Sequence, residues 1–363
     1  MMVFSSPLLK REDQRASATP AKARKAMGPV MKQGLRIGTH NGMFHCDESL
    51  ACFLLKLLPQ YKDAEIVRTR DDAVLDKCDI VVDVGGKYDP ANHRYDHHQR
   101  GFAETGSSVI PGKPWPIKLS SAGLVYCHFG RDILKTLAAD TLDEKDLEPI
   151  FNYVYEHFVQ EIDAIDNGIP MCEGEPKYKM TTSLSSRVAN LNPPWNAPPE
   201  DPNSLVRFEK AMALTGSEFV ERVRYAVDSW WPARKYVLNA INERFQVHES
   251  GRIMELKTFC PWKGHFFELM KELQLDARGV NFLIFENTDS TWRVQGVPES
   301  EQSFVGDIFL HPEWRGLRDE ELCKVSGIEG CIFAHASGFI GGNRTREGAL
   351  QMAVKSLDQP KQT

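Results

Sequence analysis

From Leu35 onward, short β-branched runs alternate with longer amphipathic stretches. The period-2 runs predict strands over 35–39, 64–69 and 79–84, and the period-3.6 stretches predict helices over 47–58, 120–137 and 147–165. Strands alternating with helices predict an α/β fold built on a doubly wound, mainly parallel sheet. Between 171 and 202 the pattern fades, and Pro176, Pro193, Pro194, Pro198, Pro199 and Pro202 punctuate a stretch rich in Ser, Thr and Asn. Proline at that density predicts a connector. Residues 203–245 then read as largely helical with a break at Pro232, and strand-like runs return from Ile253, at 281–285, 292–297 and 330–335. The expected layout is a tail over 1–33, an N-terminal domain over 34–170, the connector over 171–202, and a helical segment with a smaller α/β C-terminal domain over 203–363, facing the first across a cleft.

A chain of 363 residues exceeds what one hydrophobic core usually organises, which fits that layout. No apolar run approaches the roughly 18 residues that cross a bilayer, so no membrane is expected as a partner. The formal net charge of -6 is unevenly spread: residues 1–33 hold seven basic side chains against Glu12 and Asp13, which leaves a net -11 on the remainder. An acidic body excludes coating of nucleic acid by bulk charge and leaves room for a local basic groove. The tail fits a mitochondrial presequence or a disordered segment, and its two acids count against the first. Eight cysteines without a Cys-x-x-Cys pair fit reduced thiols inside a cell. Oligomeric state is not set by the sequence.

The chemistry gathers where strands are expected to end. His40 follows the first strand, Asp83 interrupts the buried run from Ile80 to Val84, and Asp96, His97 and His98 follow Arg94 and Tyr95. In open α/β sheets, ligands collect outside the carboxyl ends of the strands. His45 and Asp47 are spaced to point the same way from an extended segment, whereas His97 and His98 are expected to face opposite ways. Imidazole with carboxylate and no thiolate suits a pair of divalent ions, Mn first, with Mg or Zn the other candidates. The ligand candidates are His40, His45, Asp47, Asp83 and His97, plus a carboxylate from the segment 161–168, where Asp163 and Asp166 share a helical face. Of the adjacent histidines, one is expected to bind metal and the other to donate a proton or touch substrate, with Asp96 orienting a ring.

The stretches Thr39 to Glu48, Val82 to Asp83, Asp96 to His98 and Asp163 to Gly168, in that order, resemble the four motifs of the DHH phosphoesterase superfamily. More closely, Gly38 to Gly42, Phe44 to Glu48, Tyr95 to Arg100 and Ala334 to Gly342 are similar to the eukaryotic melanocyte-proliferating-gene exonuclease family, over about 35–353. The resemblance implies that His40, His45, Asp47, Asp83 and His97 are metal ligands, that His98 donates a proton, and that Asp166 is the better match for the last motif. Many superfamily members carry an aspartate where this chain has His45, which leaves the metal open. The resemblance further implies a metal-dependent 3′–5′ exonuclease acting on single-stranded RNA, or DNA, in RNA processing, located in mitochondrion and nucleus. The alternatives are a small-molecule pyrophosphatase or dinucleotide phosphodiesterase, and a non-catalytic metal-dependent regulator.

Near the end, the strand-like run from Gly330 to His335 leads into a glycine-rich segment from Ala336 to Arg346, and then a helix-like stretch over 347–357. Strand, glycine loop and helix is an arrangement in which bare amides meet a phosphate. Gly338, Gly341, Gly342, Asn343, Arg344 and Arg346 are therefore candidates for substrate binding, and His335 for contact with the sugar or the scissile group. The resemblance implies the same, because DHH enzymes carry a Gly-Gly element that binds substrate from the C-terminal domain.

Overall fold

Three parallel strands ending at Thr39, Val82 and Tyr95 place their carboxyl ends along one edge of a sheet. They belong to the N-terminal half of a computed structural model that describes residues 34–138, 142–303 and 305–358. The expected tail, 1–33, lies outside the described residues. This half contains β1 (Arg36–Thr39), α1 (Cys46–Leu57), β2 (Glu65–Arg68), α2 (Asp72–Leu75), β3 (Ile80–Val82), β4 (Tyr88–Asp89), β5 (Arg94–Tyr95), α3 (Gly106–Val109), α4 (Ser121–Leu137), α5 (Glu144–Val154) and α6 (Gln160–Asp166). The sheet order is β2-β1-β3-β5-β4, parallel except for β4, which runs antiparallel to β5. A large core, including Leu50, Leu54, Leu124, Tyr126 and Phe151, packs α1, α4 and α5 on one face. A small cluster of Leu75, Cys78, Val81 and Val84 covers the other.

The connector contains a short helix, α7 (Leu184–Ala189), capped by the Ser183 hydroxyl, so that the prolines bracket it rather than exclude it. The long helical stretch follows as α8 (Val206–Tyr225) and α9 (Trp231–Val247), joined by a π-turn at Ala226–Trp230. Pro232 does not break this path. It sits in the first turn of α9, directly after the π-turn, where a helix tolerates a residue without an N–H. A second π-turn, Tyr155–Val159, joins α5 to α6.

The C-terminal sheet comprises β6 (Ile253–Leu256), β7 (Phe282–Glu286), β8 (Trp292–Gly296), β9 (Cys331–Ala334) and β10 (Ile340–Asn343), in the order β6-β7-β8-β10-β9. Only β6 and β7 pair in parallel. Its two faces carry separate cores, one with α10 (Lys263–Glu272) and α9, the other with α11 (Asp319–Ser326) and α12 (Arg346–Leu357). Both halves are α/β with mixed sheets. The glycine-loop expectation requires correction: Gly341 and Gly342 lie within β10, between β8 and β9. In a central antiparallel strand the backbone groups are directed to one neighbour or the other, so these amides serve the ladder. Along β10, Ile-Gly-Gly-Asn offers no alternating side chains by which the strand could be recognised.

Candidate metal centre

The edge formed by β1, β3 and β5 brings His40, Asp83 and the segment from Asp96 to His98 together, and α1 and α6 add His45, Asp47, Glu48 and Asp166. Three overlapping donor groups result: His40, His45, Glu48 and Asp83; Asp83, His97 and His98; and His45, Asp47 and Asp166. Within each group the donor atoms lie within 4.8 Å of one another, and Asp83 and His45 each belong to two groups. Asp83 stands at the hub. One of its oxygens lies 3.4 Å from His40 Nε2, and the other lies 3.3 Å from His97 Nε2 and 3.4 Å from His98 Nδ1. Its backbone has φ of +59°, a left-handed conformation that costs a residue with a Cβ, and such strain is held where surrounding contacts fix it. Here the Ser121 hydroxyl donates to its carboxylate and to the Tyr95 carbonyl.

The loop before α1 is held from two sides. The buried Arg68 guanidinium donates to the carbonyls of His40 and Gly42, and the Asn192 side chain pairs with both backbone groups of Phe44. His40 Nδ1 donates to the Asn41 carbonyl at 3.0 Å, which leaves the Nε2 lone pair turned to the cluster. Glu48, absent from the sequence-based candidates, is fully buried in the first turn of α1. It accepts from the His45 backbone N–H at 2.8 Å and lies 3.0 Å from His40 Nε2. The sequence signal was available, since a Glu three residues after a helix-capping position folds its carboxylate back over the helix start. His45 and Asp47 come together through this helix start and not through an extended segment.

Two further expectations change. The rings of His97 and His98 do not face opposite ways. Their centroids are 4.3 Å apart, because the backbone after β5 leaves the strand conformation. Asp96, buried, accepts from the Gly86 N–H, the His98 N–H and, at 2.8 Å, His98 Nδ1, so it orients the exposed His98 ring. Asp163 stands outside the donor groups. Its buried carboxylate accepts from the Ser120 N–H and hydroxyl, the Gly123 N–H and the Tyr155 hydroxyl, which ties down the start of α4. Burial pushes its pKa up to about 7 against those four donors. Asp166, one turn later, is partly open and lies 3.1 Å from His97 Nε2.

The electrostatics fit a site for a cation. Both oxygens of the buried Asp47 carboxylate lack a hydrogen-bond donor, although burying a charged group unpaired is costly. Burial, with Asp83 and Asp166 nearby, pushes the Asp47 pKa well up. Burial opposes charge on His40 and His97 too, yet the carboxylates around them win and raise both to about 10. Burial likewise works against ionised Asp83, but His40 and His97 hold its pKa low. Protons thus supply the positive charge that divalent ions would supply on binding to the same atoms. Cys46 takes no part: burial pushes its thiol up to about 12. Above the donors, His45, His98 and Asp166 open onto a cavity of about 410 Å³ walled by α6 and α7.

In the C-terminal half, His335 is exposed at the turn between β9 and β10, with Nδ1 2.9 Å from the Ser337 hydroxyl. Gly338, at φ of +78° in that turn, leaves no room for a Cβ beside the Arg315 guanidinium. Asn343 is buried and secures the approach to α12 through the Glu329 carbonyl and the Thr345 N–H. Arg346 is bound to Glu255, and Arg344 is exposed.

A family model described as an uncharacterised protein family, UPF0160, with the short name MYG1 exonuclease, matches residues 36–357. The chain is 56% identical to the MYG1 exonuclease of Mus musculus and 55% identical to that of Homo sapiens. Each match covers 89% of this chain, with 85% of the mouse protein and 86% of the human one. The MYG1 protein of Dictyostelium discoideum is 48% identical over 91% of this chain and 98% of its own length. Among the described residues, no helix is long and apolar enough to cross a membrane.

Proposed function

The chain belongs to the MYG1 exonuclease family, and from that premise we propose that it is a metal-dependent exonuclease that hydrolyses phosphodiester bonds of single-stranded RNA from the 3′ end. The observation that carries the reading is Asp47, a fully buried carboxylate with neither oxygen hydrogen-bonded, in a donor group that His45 joins to the groups sharing Asp83. His40, His45, Asp47, Glu48, Asp83, His97 and Asp166 would hold two divalent ions, with Mn the best match to imidazole and carboxylate donors. Such ions supply Lewis-acid stabilisation of phosphoryl oxygens and lower the pKa of water.

The protein's own groups do the rest. Asp83, fixed by Ser121 and by its strand, keeps the donor groups in register. His98, exposed toward the cavity and hydrogen-bonded to Asp96, is placed to give a proton to the leaving oxygen; the Asp96 carboxylate raises its pKa, which favours the protonated ring. Arg344 and His335, the exposed basic side chain and imidazole of the C-terminal segment, are the candidates there for direct contact with the strand. Gly338, Gly341, Gly342, Asn343 and Arg346 would shape that surface through backbone and packing.

The test is degradation of a 5′-labelled single-stranded oligoribonucleotide with Mn, with Mg or with chelator, run beside pyrophosphate and a dinucleotide. We expect a ladder shortening from the 3′ end, dependent on metal and lost in Asp83→Ala at unchanged fold. Undiminished turnover in that variant rejects the site. An intact oligomer with turnover of pyrophosphate or the dinucleotide would replace the exonuclease with a small-molecule phosphoesterase.

A further inference from the structure

The donor cluster is built from carboxylates and histidines, and no lysine or arginine lines the cavity above it. Two divalent ions would offset most of the charge of Asp47, Glu48, Asp83, Asp96 and Asp166 without leaving an excess of positive charge, so cations beside the ligand set would strengthen the hold on a phosphodiester. Two basic residues flank that set on the segments that carry His98 and contact Asn167. Arg100 occupies a tight turn in which the Phe102 N–H donates to the Gln99 carbonyl at 3.1 Å and Gly101 takes φ of +86°. That turn begins one residue after His98. It is anchored by the Phe102 ring, which meets the His97 ring edge-on at 6.3 Å and the Tyr88 ring at 5.7 Å.

Lys118 is placed from two directions. Its ammonium lies 5.5 Å from the centre of the same Phe102 ring, and its backbone carbonyl accepts from Asn167, the residue that follows Asp166. Asp166 and His97 are themselves 3.1 Å apart. Lys118 is therefore pinned at the side of the cluster where His97 and Asp166 meet, half-buried. Among the described residues, neither Lys118 nor the exposed Arg100 has a carboxylate partner, unlike Arg131, Arg187, Arg207, Arg234 and Arg346.

We propose that Arg100 and Lys118 form a phosphate clamp outside the metal ligands, gripping the substrate's phosphate at the edge of the site marked by Phe102. The proposal rests on the phosphoesterase reading of the cluster and adds the residues that recognise the anion. Arg100 offers a planar fork for two phosphate oxygens, and Lys118 a point charge held by the ring beneath it. Both are positioning residues for the scissile phosphate or its neighbour.

The experiment measures binding of a fluorescein-labelled oligoribonucleotide with phosphorothioate linkages, in Mn, across a salt series, for wild type, Arg100→Gln, Lys118→Gln and Lys118→Arg. Mn binding is measured in parallel by calorimetry. Each Gln variant should bind severalfold more weakly, with the slope of log K against log salt shallower by about 0.7 per lost contact, while Lys118→Arg keeps the slope and every variant keeps its Mn affinity. Unchanged slopes in both Gln variants overturn the clamp, and so does a fall in Mn affinity that matches the fall in binding. Arg100→Gln, on an exposed turn, decides the matter if Lys118→Gln fails to fold. Pyrophosphate is the second probe. If wild type binds no oligomer but binds pyrophosphate, more weakly in the Gln variants, the clamp stands and the RNA reading falls; binding of neither probe overturns the clamp.

Discussion

Asp163 and Asp166 are the same residue type one turn apart on α6, yet their surroundings give them different tasks. Asp163 points at the start of α4, where unpaired N–H groups need acceptors, and receives four donors. Asp166 points at His97 and the cavity. Asp163→Asn would set amide hydrogens against those donors and leave buried polar groups unpaired, at a cost of about 1–3 kcal/mol. We expect chemical denaturation of the chelated protein to show that loss for Asp163→Asn and a smaller one for Asp166→Asn, which gives up only its partly open contact with His97, whereas Mn binding should fail only in Asp166→Asn. Equal stability of the two would remove the distinction. Sequence spacing could not separate them, because residues three apart share a helical face and the choice depends on which neighbour α4 presents. His40, Asp83 and Asp96 were legible for the opposite reason: each follows a short strand, and in a parallel sheet such residues gather at one edge. Glu48 was hidden by an ordinary signal, since a Glu in a helix's first turn usually does no more than cap it.

At the scale of elements, strands and helices with clear periodicity were readable to within a residue or two, as for β1, α1, β3 and α4. What escaped was decided by partners distant in sequence. β10 is a strand because β8 and β9 flank it, and the helix through Pro232 continues because a π-turn takes up the defect. The same dependence on neighbours inverts a propensity rule in α4. Gly123 lies inside that helix, where Ala is normally favoured by about 1 kcal/mol. A Cβ there would stand 2.3 Å from both Asp163 oxygens, which are held in place by Ser120 and Tyr155. Gly123→Ala should therefore destabilise the protein, by about 1–3 kcal/mol as overpacking does, read as a lower denaturation midpoint. A raised midpoint would mean that α6 yields at little cost and that Asp163 is not a fixed anchor.

Among the described residues, the sheet edge concentrates buried carboxylates, in a chain already at -6 overall. Folding brings Asp47, Glu48 and Asp83 out of water together, and in the absence of cations protons on His40, His97 and Asp47 offset the repulsion. A ligand that binds only the folded form stabilises it by about 2.7 kcal/mol at a hundredfold excess over its Kd. For a chain of this size each kcal/mol moves the midpoint by roughly 2 °C, so saturating Mn should raise the melting temperature by about 5 °C and chelator should reverse it. Asp47→Asn separates the cost of the site from its use. It removes a carboxyl group that the fold must bury either charged or protonated, without a hydrogen-bond donor and with His97 Nε2 4.0 Å away, so the chelated variant should melt above chelated wild type, while Mn should shift it little and hydrolysis should be lost. That pattern is expected where residues are retained for chemistry at the expense of stability. A chelated Asp47→Asn that melts below wild type would show that the carboxylate is satisfied within the fold, and the case for a cation at that position would fail with it.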